Sequence, residues 1–301
     1  MLELASRDVV SRAEQIEINE GRGIKGCVLL DCRHLGRSFL QDRLGQIYAE
    51  AKTFANVDLA EEPLPIRPGM HYQMGGIKTD TEGRCWDVEG QWKGLPGLFA
   101  AGETACVSLH GGNRLGANSL LDTVVFGRRA GQYAAEYGKT LPPPVIPESA
   151  MEADKQLVAT ILSRERPGER AAALRLEMGT TMNRHVSVFR EQEGLETASR
   201  RINDLKERWP DITIQDKGQV FNTGLVSALE LGFMLDCAEA IIVGALTREE
   251  SRGAHFRTDY LNRDDEQWLK HVLLYHTPDG PPRVEYLPVR ITQWQPQIRV
   301  Y

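Results

Sequence analysis

Residues 110–122 read His-Gly-Gly-Asn-Arg-Leu-Gly-Ala-Asn-Ser-Leu-Leu-Asp, and most of the chemistry open to this chain is gathered there. His110 and Arg114 stand beside flexible glycines, where either can take hold of a carboxylate, arginine through two parallel N–H donors. The helix that begins near Ser119 and Leu120 adds unpaired backbone N–H groups and the positive end of its dipole. Together they suit a site where an anionic substrate meets a cofactor that becomes negatively charged. A glycine turn followed by an ordinary capped core helix accounts for the same residues without a ligand.

Three more residues could take part. Glu103 closes segment 97–103 (Gly-Leu-Phe-Ala-Ala-Gly-Glu), which reads as a buried strand. A carboxylate at a strand end can accept hydrogen bonds from cofactor hydroxyls, and Gly102 lets a ligand approach the backbone. Taken alone, a solvated glutamate is the simpler reading. His71 opens His-Tyr-Gln-Met-Gly-Gly, again a histidine near glycines. Arg7 precedes a helix beside Asp8, and a surface ion pair worth about 0–1 kcal/mol explains it without chemistry.

These residues need elements to hold them. Residues 8–20 predict a helix, with Val9, Val10, Ala13 and Ile16 on one face and Gly21 to stop it. A short strand at 27–31 and a second helical stretch at 37–52 follow, then a bend at Pro63, Pro65 and Pro68. The helix over 120–137 takes Ser119 as its N-cap, with Asp122 at capping-box spacing. Gly127, Ala130, Gly131 and Ala134 give that helix a small surface for close packing. Gly138 and the prolines at 142–144 end it and form the clearest linker. Residues 148–250 carry repeated helical patterns, and 268–276 with 283–291 flank Thr-Pro-Asp-Gly-Pro-Pro as a hairpin. Gly21, Gly23 and Gly26 match G-x-G-x-x-G, but a helix precedes them and a strand follows. That order is the reverse of a dinucleotide-binding turn, so the spacing reads as a plain turn.

With 301 residues, 41% of them hydrophobic and 26% charged, the chain can bury a core as one large domain or two to three smaller ones. A net charge of -6 argues against a nucleic-acid partner. No apolar run approaches the ~20 residues that span a bilayer, and the first residues lack the features of a signal peptide. The cysteines at 27, 32, 85, 106 and 237 form no C-x-x-C pair. They read as reduced thiols in a cytoplasmic setting, and no metal site is expected.

Taken in order, several of these segments resemble the flavoprotein subunit of succinate dehydrogenase and fumarate reductase. The resemblance rests on residues 4–12 (Leu-Ala-Ser-Arg-Asp-Val-Val-Ser-Arg), 71–76, 97–103 and 110–122. It continues through 187–191 (Ser-Val-Phe-Arg-Glu), 221–223 (Phe-Asn-Thr), 250–255 (Glu-Ser-Arg-Gly-Ala-His), 263–265 (Arg-Asp-Asp) and Trp268. It implies hydride transfer between succinate or fumarate and FAD. By the same likeness Arg7 is the proton donor and acceptor at the substrate carbon, and His71 and Arg114 bind the dicarboxylate, with His110 beside them. Glu103, Ser119 and Leu120 contact the flavin.

The implied fold is α+β or α/β, in four parts. Residues 1–67 are a remnant of the substrate-capping domain, and 68–141 are the C-terminal part of the FAD-binding domain. Residues 142–250 form a helical domain, and 251–301 a C-terminal hairpin region. The implied partners are an iron–sulfur subunit and, through it, membrane anchor subunits. That places the chain at the cytoplasmic face of the inner membrane. Members of the family are about twice as long. Their dinucleotide motif, the histidine that bonds covalently to the flavin, and an earlier histidine and threonine of the substrate site have no counterpart here. The expectation is therefore a truncated or split flavoprotein that binds no flavin by itself. Two alternatives remain: an L-aspartate oxidase-like flavoenzyme, which shares the His-Tyr, Gly-Glu and Asn-Arg motifs, and a non-catalytic module that docks an iron–sulfur subunit.

Overall fold

The computed structural model describes residues 5–165, 168–278 and 280–297. It divides into two compact units, the first ending at His71 and the second starting at Tyr72. In the first unit, α1 (Arg7–Asn19) ends just before Gly21, which turns the chain at φ 77°. After the glycine turn, β1 (Val28–Leu30) pairs antiparallel with β2 (Leu64–Ile66), Leu30 opposite Leu64. Helix, turn, strand is the order expected of a plain glycine turn. The helical stretch expected over 37–52 is instead two short helices, α2 (Arg37–Arg43) and α3 (Gly45–Glu50), broken at Leu44 and followed by a π turn at Ala51–Ala55. Gly45, a poor helix former, sits at the break. Leu40, Ala51, Val57 and Leu59 form the small core of this unit.

The second unit begins with a short parallel pair, β3 (Ile77–Lys78) and β4 (Ala105–Cys106), with Lys78 opposite Cys106. The strand expected over 97–103 does not form. Phe99 makes one bridge to Arg84, and Gly102–Thr104 is a 3-10 turn. Gly97 at φ 89° and Gly102 at φ 72° adopt a backbone that an extended strand excludes.

Next comes α4 (Asn118–Lys139), preceded by Ala117 in the left-handed region. Ser119 therefore lies inside the first turn, and the expected capping box is absent. Of the 22 residues of α4 only Asp122 and Ala130 are buried. Ala130 packs against Gly83, where an added Cβ would sit 2.4 Å from the alanine Cβ. A Cβ at Gly127 or Gly131, both expected in a packed face, would meet nothing within 4 Å.

The rest is a helical bundle and a hairpin. The bundle is α5 (Glu152–Ser163), α6 (Ala171–His185), α7 (Gln192–Arg208) and α8 (Thr223–Thr247). In α8 the buried residues are Ala228, Leu231, Leu235, Ala238, Ile242 and Ala245, a spacing of alternating threes and fours that makes one continuous stripe. The matching stripe of α7 is Leu195, Ala198, Ile202 and Leu205. Asn222 caps α8 by accepting from the Leu225 N–H at 2.8 Å. At its other end the buried Arg257 guanidinium donates to the carbonyls of Ala245 (2.9 Å) and Leu246 (3.3 Å), and pairs with Asp259. A single turn, α9 (Asp265–Trp268), leads into β5 (Lys270–Tyr275), which pairs antiparallel with β6 (Arg283–Pro288). The hairpin is where the sequence places it; Asp279 of its turn lies outside the described residues.

Candidate functional site

The loop between β4 and α4 carries Arg114, and three side chains shape its interior. The Asp122 carboxylate, 3% exposed, accepts from the Tyr72 hydroxyl at 3.1 Å and faces the His110 Nε2 at 3.1 Å. The Tyr72 hydroxyl and His110 Nε2 lie 3.2 Å apart, and the two rings meet edge to face at 5.3 Å. Burial, and next the bond to Asp122, push the Tyr72 phenol up to about 12, so it stays a donor at neutral pH. The Arg114 guanidinium stacks over the Tyr72 ring at 5.0 Å, and its Nη1 donates to the Leu115 carbonyl at 2.9 Å. Its Nε is buried without a hydrogen-bond partner. A buried donor left open costs about 1–3 kcal/mol, so it points to a ligand that would accept from it.

The C-terminal part of the same unit clamps this loop. Ala254 N–H donates to the Gly112 carbonyl at 2.8 Å. The backbones are so close that a Cβ on Gly253 would sit 2.3 Å from the Gly112 oxygen, and one on Gly112 would sit 2.7 Å from the Arg252 oxygen. Both positions need glycine, and Gly253 has φ 62° besides. Behind the clamp, the fully buried Glu250 holds Arg248 and Arg252, and His255 sits between the Arg190 Nη1 (2.7 Å) and the Arg248 carbonyl (3.1 Å). Ser108, at φ 70°, bonds the His271 Nε2 of β5 at 2.8 Å.

The helix start gives the second half of the site. Asn118 N–H donates to the Leu115 carbonyl and Leu121 N–H to that of Ala117. The N–H groups of Ser119 and Leu120 have no acceptor among the described residues. These are two donors at the positive end of a long helix, a set that suits an anionic group. Glu103 accepts from the Gln73 N–H at 2.8 Å. Gln73 follows Tyr72 directly, so one stretch of backbone joins Glu103 to the Arg114 loop.

Of the residues singled out in sequence, the structure brings together His110 and Arg114, and places Glu103, Ser119 and Leu120 in the same unit. Arg7 and His71 belong to the first unit and are exposed. Arg7 is the first residue of α1, and the salt bridge of Asp8 runs to Arg12 (3.1 Å) rather than to Arg7. Two members of the cluster escaped the sequence reading. Tyr72 sat unremarked beside His71, and Asp122 looked like a cap. The available signal was a carboxylate among the apolar residues Leu120, Leu121, Val124 and Val125, on a helix that had to present something inward. A separate recess of about 400 Å³, lined by Trp86, Phe99, Tyr133 and Tyr137, lies at the other end of α4. Among the described residues no cluster of His, Cys, Asp and Glu could hold a metal ion.

Known protein families match the chain over both its N-terminal and its C-terminal parts. Residues 1–120 match a family model described as FAD binding domain, and residues 175–301 match one described as fumarate reductase flavoprotein C-term. The chain is 42% identical to a fumarate reductase flavoprotein subunit of Haemophilus influenzae, over all of this chain and 50% of that protein. It is 44% identical to a succinate dehydrogenase flavoprotein subunit of Rickettsia conorii, over 96% of this chain and 50% of that protein. Its structure is similar to a chain of E. coli quinol fumarate reductase, with a TM-score of 0.88 and 40% identity, over 99% of this chain and 51% of that one. The chain thus spans about half the length of the curated relatives it matches.

Proposed function

Because the chain belongs to the flavoprotein-subunit family of fumarate reductases and succinate dehydrogenases, we propose that it forms the part of such an enzyme that holds a dicarboxylate against one side of FAD. The observation that carries this reading is the pairing of open donors: the buried Arg114 Nε on the loop, and the Ser119 and Leu120 N–H groups at the start of α4. The residues present fit an anionic isoalloxazine at the helix start and a carboxylate at the arginine. FAD, when bound, supplies the two-electron partner for interconverting succinate and fumarate.

Each side chain has a stated task in this reading. Arg114 binds and polarises one substrate carboxylate, and the Tyr72 ring beneath supports the guanidinium in place. His71 is a second carboxylate donor, and His110 lines the loop. Glu103, already fixed by the Gln73 N–H, has a second oxygen for a cofactor hydroxyl. Arg7 gives a proton to the substrate carbon or takes one from it. A guanidinium keeps its proton until strong negative charge develops on that carbon. In this reading residues 1–67 belong to the capping domain, 68–141 to the FAD-binding domain, 142–250 to the helical domain and 251–301 to the hairpin region.

The reading includes partners. The outer face of α4 exposes Leu120 (73%), Leu121 (56%), Val124 (69%) and Val125 (41%), and Leu115 (76%) stands just before them. A contiguous apolar face of this kind marks a surface meant to be covered. We assign its cover to the other half of the relatives' length, without which FAD is not retained. An iron–sulfur subunit is the proposed electron partner. No helix among the described residues is long and apolar enough to cross a membrane, so attachment to the cytoplasmic face of the inner membrane would run through partner subunits.

The test is complementation. The chain is co-expressed with the remaining half of the Haemophilus influenzae fumarate reductase flavoprotein, and the complex is assayed with succinate, fumarate and aspartate. The reading predicts bound FAD and turnover of the succinate–fumarate pair. Arg114→Lys should lower kcat/KM by roughly 10²–10³-fold, with flavin content unchanged. Oxidation of aspartate in place of succinate would favour the oxidase alternative.

A further inference from the structure

We propose that Asp122, acting through Tyr72 and His110, is the positioning residue that holds the Arg114 loop in its binding geometry. The inference rests on the dicarboxylate reading of Arg114 and deepens it. Its starting point is an acid where none is needed for packing. Asp122 is one of only two buried residues of α4, and its neighbours Leu121, Val124 and Val125 are exposed. Burying a carboxylate is costly unless it is hydrogen-bonded. Here Oδ2 takes both the Tyr72 hydroxyl and the His110 Nε2, each at 3.1 Å, and the positive end of α4 lies one turn away.

The consequences follow from donor chemistry. With the Tyr72 hydroxyl donating to Asp122, the His110 proton is fixed on Nε2, and a neutral ring keeps Nδ1 as its acceptor. The His110 ring is thereby pinned edge-on to Tyr72. Arg114 lies four residues beyond His110, and its guanidinium is stacked on the same Tyr72 ring. One carboxylate thus ties together both ends of the stretch 110–114 and the aromatic ring beneath it. The clamp at Gly112 and Ala254 holds the outside of the loop, and Asp122 holds the inside. Tyr72 also carries the link to Glu103 through Gln73, so the same acid couples the expected substrate arginine to an expected flavin contact.

Asp122→Asn and Tyr72→Phe test this in two ways. In the chain alone, trypsin cleavage after Arg114 and amide exchange at 113–117 report whether the loop is held. Both variants should raise cleavage there about tenfold, because a lost hydrogen bond to a charged group increases the open population by about that factor or more. Exchange at 228–242 should not change. In the complemented enzyme Asp122→Asn should raise the KM for the dicarboxylate about tenfold while kcat changes much less. Tyr72→Phe, which keeps the ring under Arg114, should recover part of that KM. Unchanged loop cleavage and unchanged KM in both variants, with Arg114→Lys still impaired as expected, would overturn the inference and leave the dicarboxylate reading standing. Faster loop cleavage, combined with an Arg114→Lys enzyme as active as the parent, would uphold the positioning and overturn the dicarboxylate reading.

Discussion

Helices α4 and α8 are close in length, 22 and 25 residues, and they bury opposite things. Along α8 six apolar side chains form a stripe sealed against α7, with Asn222 closing one end and Arg257 the other. Along α4 the buried residues are an acid and an alanine, the aliphatic side chains Leu120, Leu121, Val124 and Val125 are exposed, and two N–H groups at its start have no acceptor among the described residues. Both ends of α8 are thus met by side chains of this chain, while Val226 (53%) and Phe233 (69%) stay exposed on its other face. The start of α4 has no side-chain cap, and it buries an acid behind a loop whose Arg114 Nε has no partner. That difference is why α4, and not α8, carries the candidate site proposed above.

Substitutions on the two helices should separate them. Leu235→Ala removes a side chain that is 1% exposed in the α8 stripe and should cost about 2–5 kcal/mol, read as a lower urea midpoint. Acid should act next most strongly, through two histidines of the C-terminal region, His255 beyond α8 and His271 of β5. His255 and His271 are pushed down to about 4, in both cases first by burial and then by neighbouring cations, Arg190 for His255 and Lys78 for His271. Unfolded histidines take up protons near 6.5 while these two stay neutral. The stability they contribute is therefore complete above about pH 6.5 and is lost as pH falls towards 4. Chemical denaturation at pH 7 and pH 5 should show a loss of about 1–2 kcal/mol per histidine, and His255→Gln should flatten the slope. The smallest effect is expected on α4. Val124→Ser in the chain alone should change stability by less than about 0.5 kcal/mol, yet it should weaken association with the complementary half. A large stability loss from Val124→Ser would mean that α4 is already covered, and the comparison would fail.

The sequence made some of this legible. The helical character of 148–250 and the hairpin around 277–282 follow from local pattern, because helical composition and turn chemistry are written in neighbouring residues; which face of α8 is buried is not, since apolar residues surround it. The glycine turn at 21–26 was legible for the same reason, since its order in the chain excludes a dinucleotide turn. The arginine and histidine of the loop could be singled out by type. Their supports could not. Tyr72 reaches Asp122 across 50 positions, and Gly253 meets Gly112 from a distant segment. Such contacts have no local signature, so Asp122 has the spacing of a cap and nothing beside Gly253 marks its approach to Gly112. The strand expected over 97–103 failed because the apolar run hid two glycines that take positive φ, which a pattern of hydrophobicity does not register.

In the proposed function this chain holds one side of an FAD site, and the other half of its relatives' length completes it. The most direct test of this is the visible spectrum of the chain after gel filtration with excess FAD, alone and with the complementary half. No flavin absorbance is expected in the peak of the chain alone, and about one FAD per complex when the two halves elute together. One equivalent of flavin carried by the chain alone would contradict it.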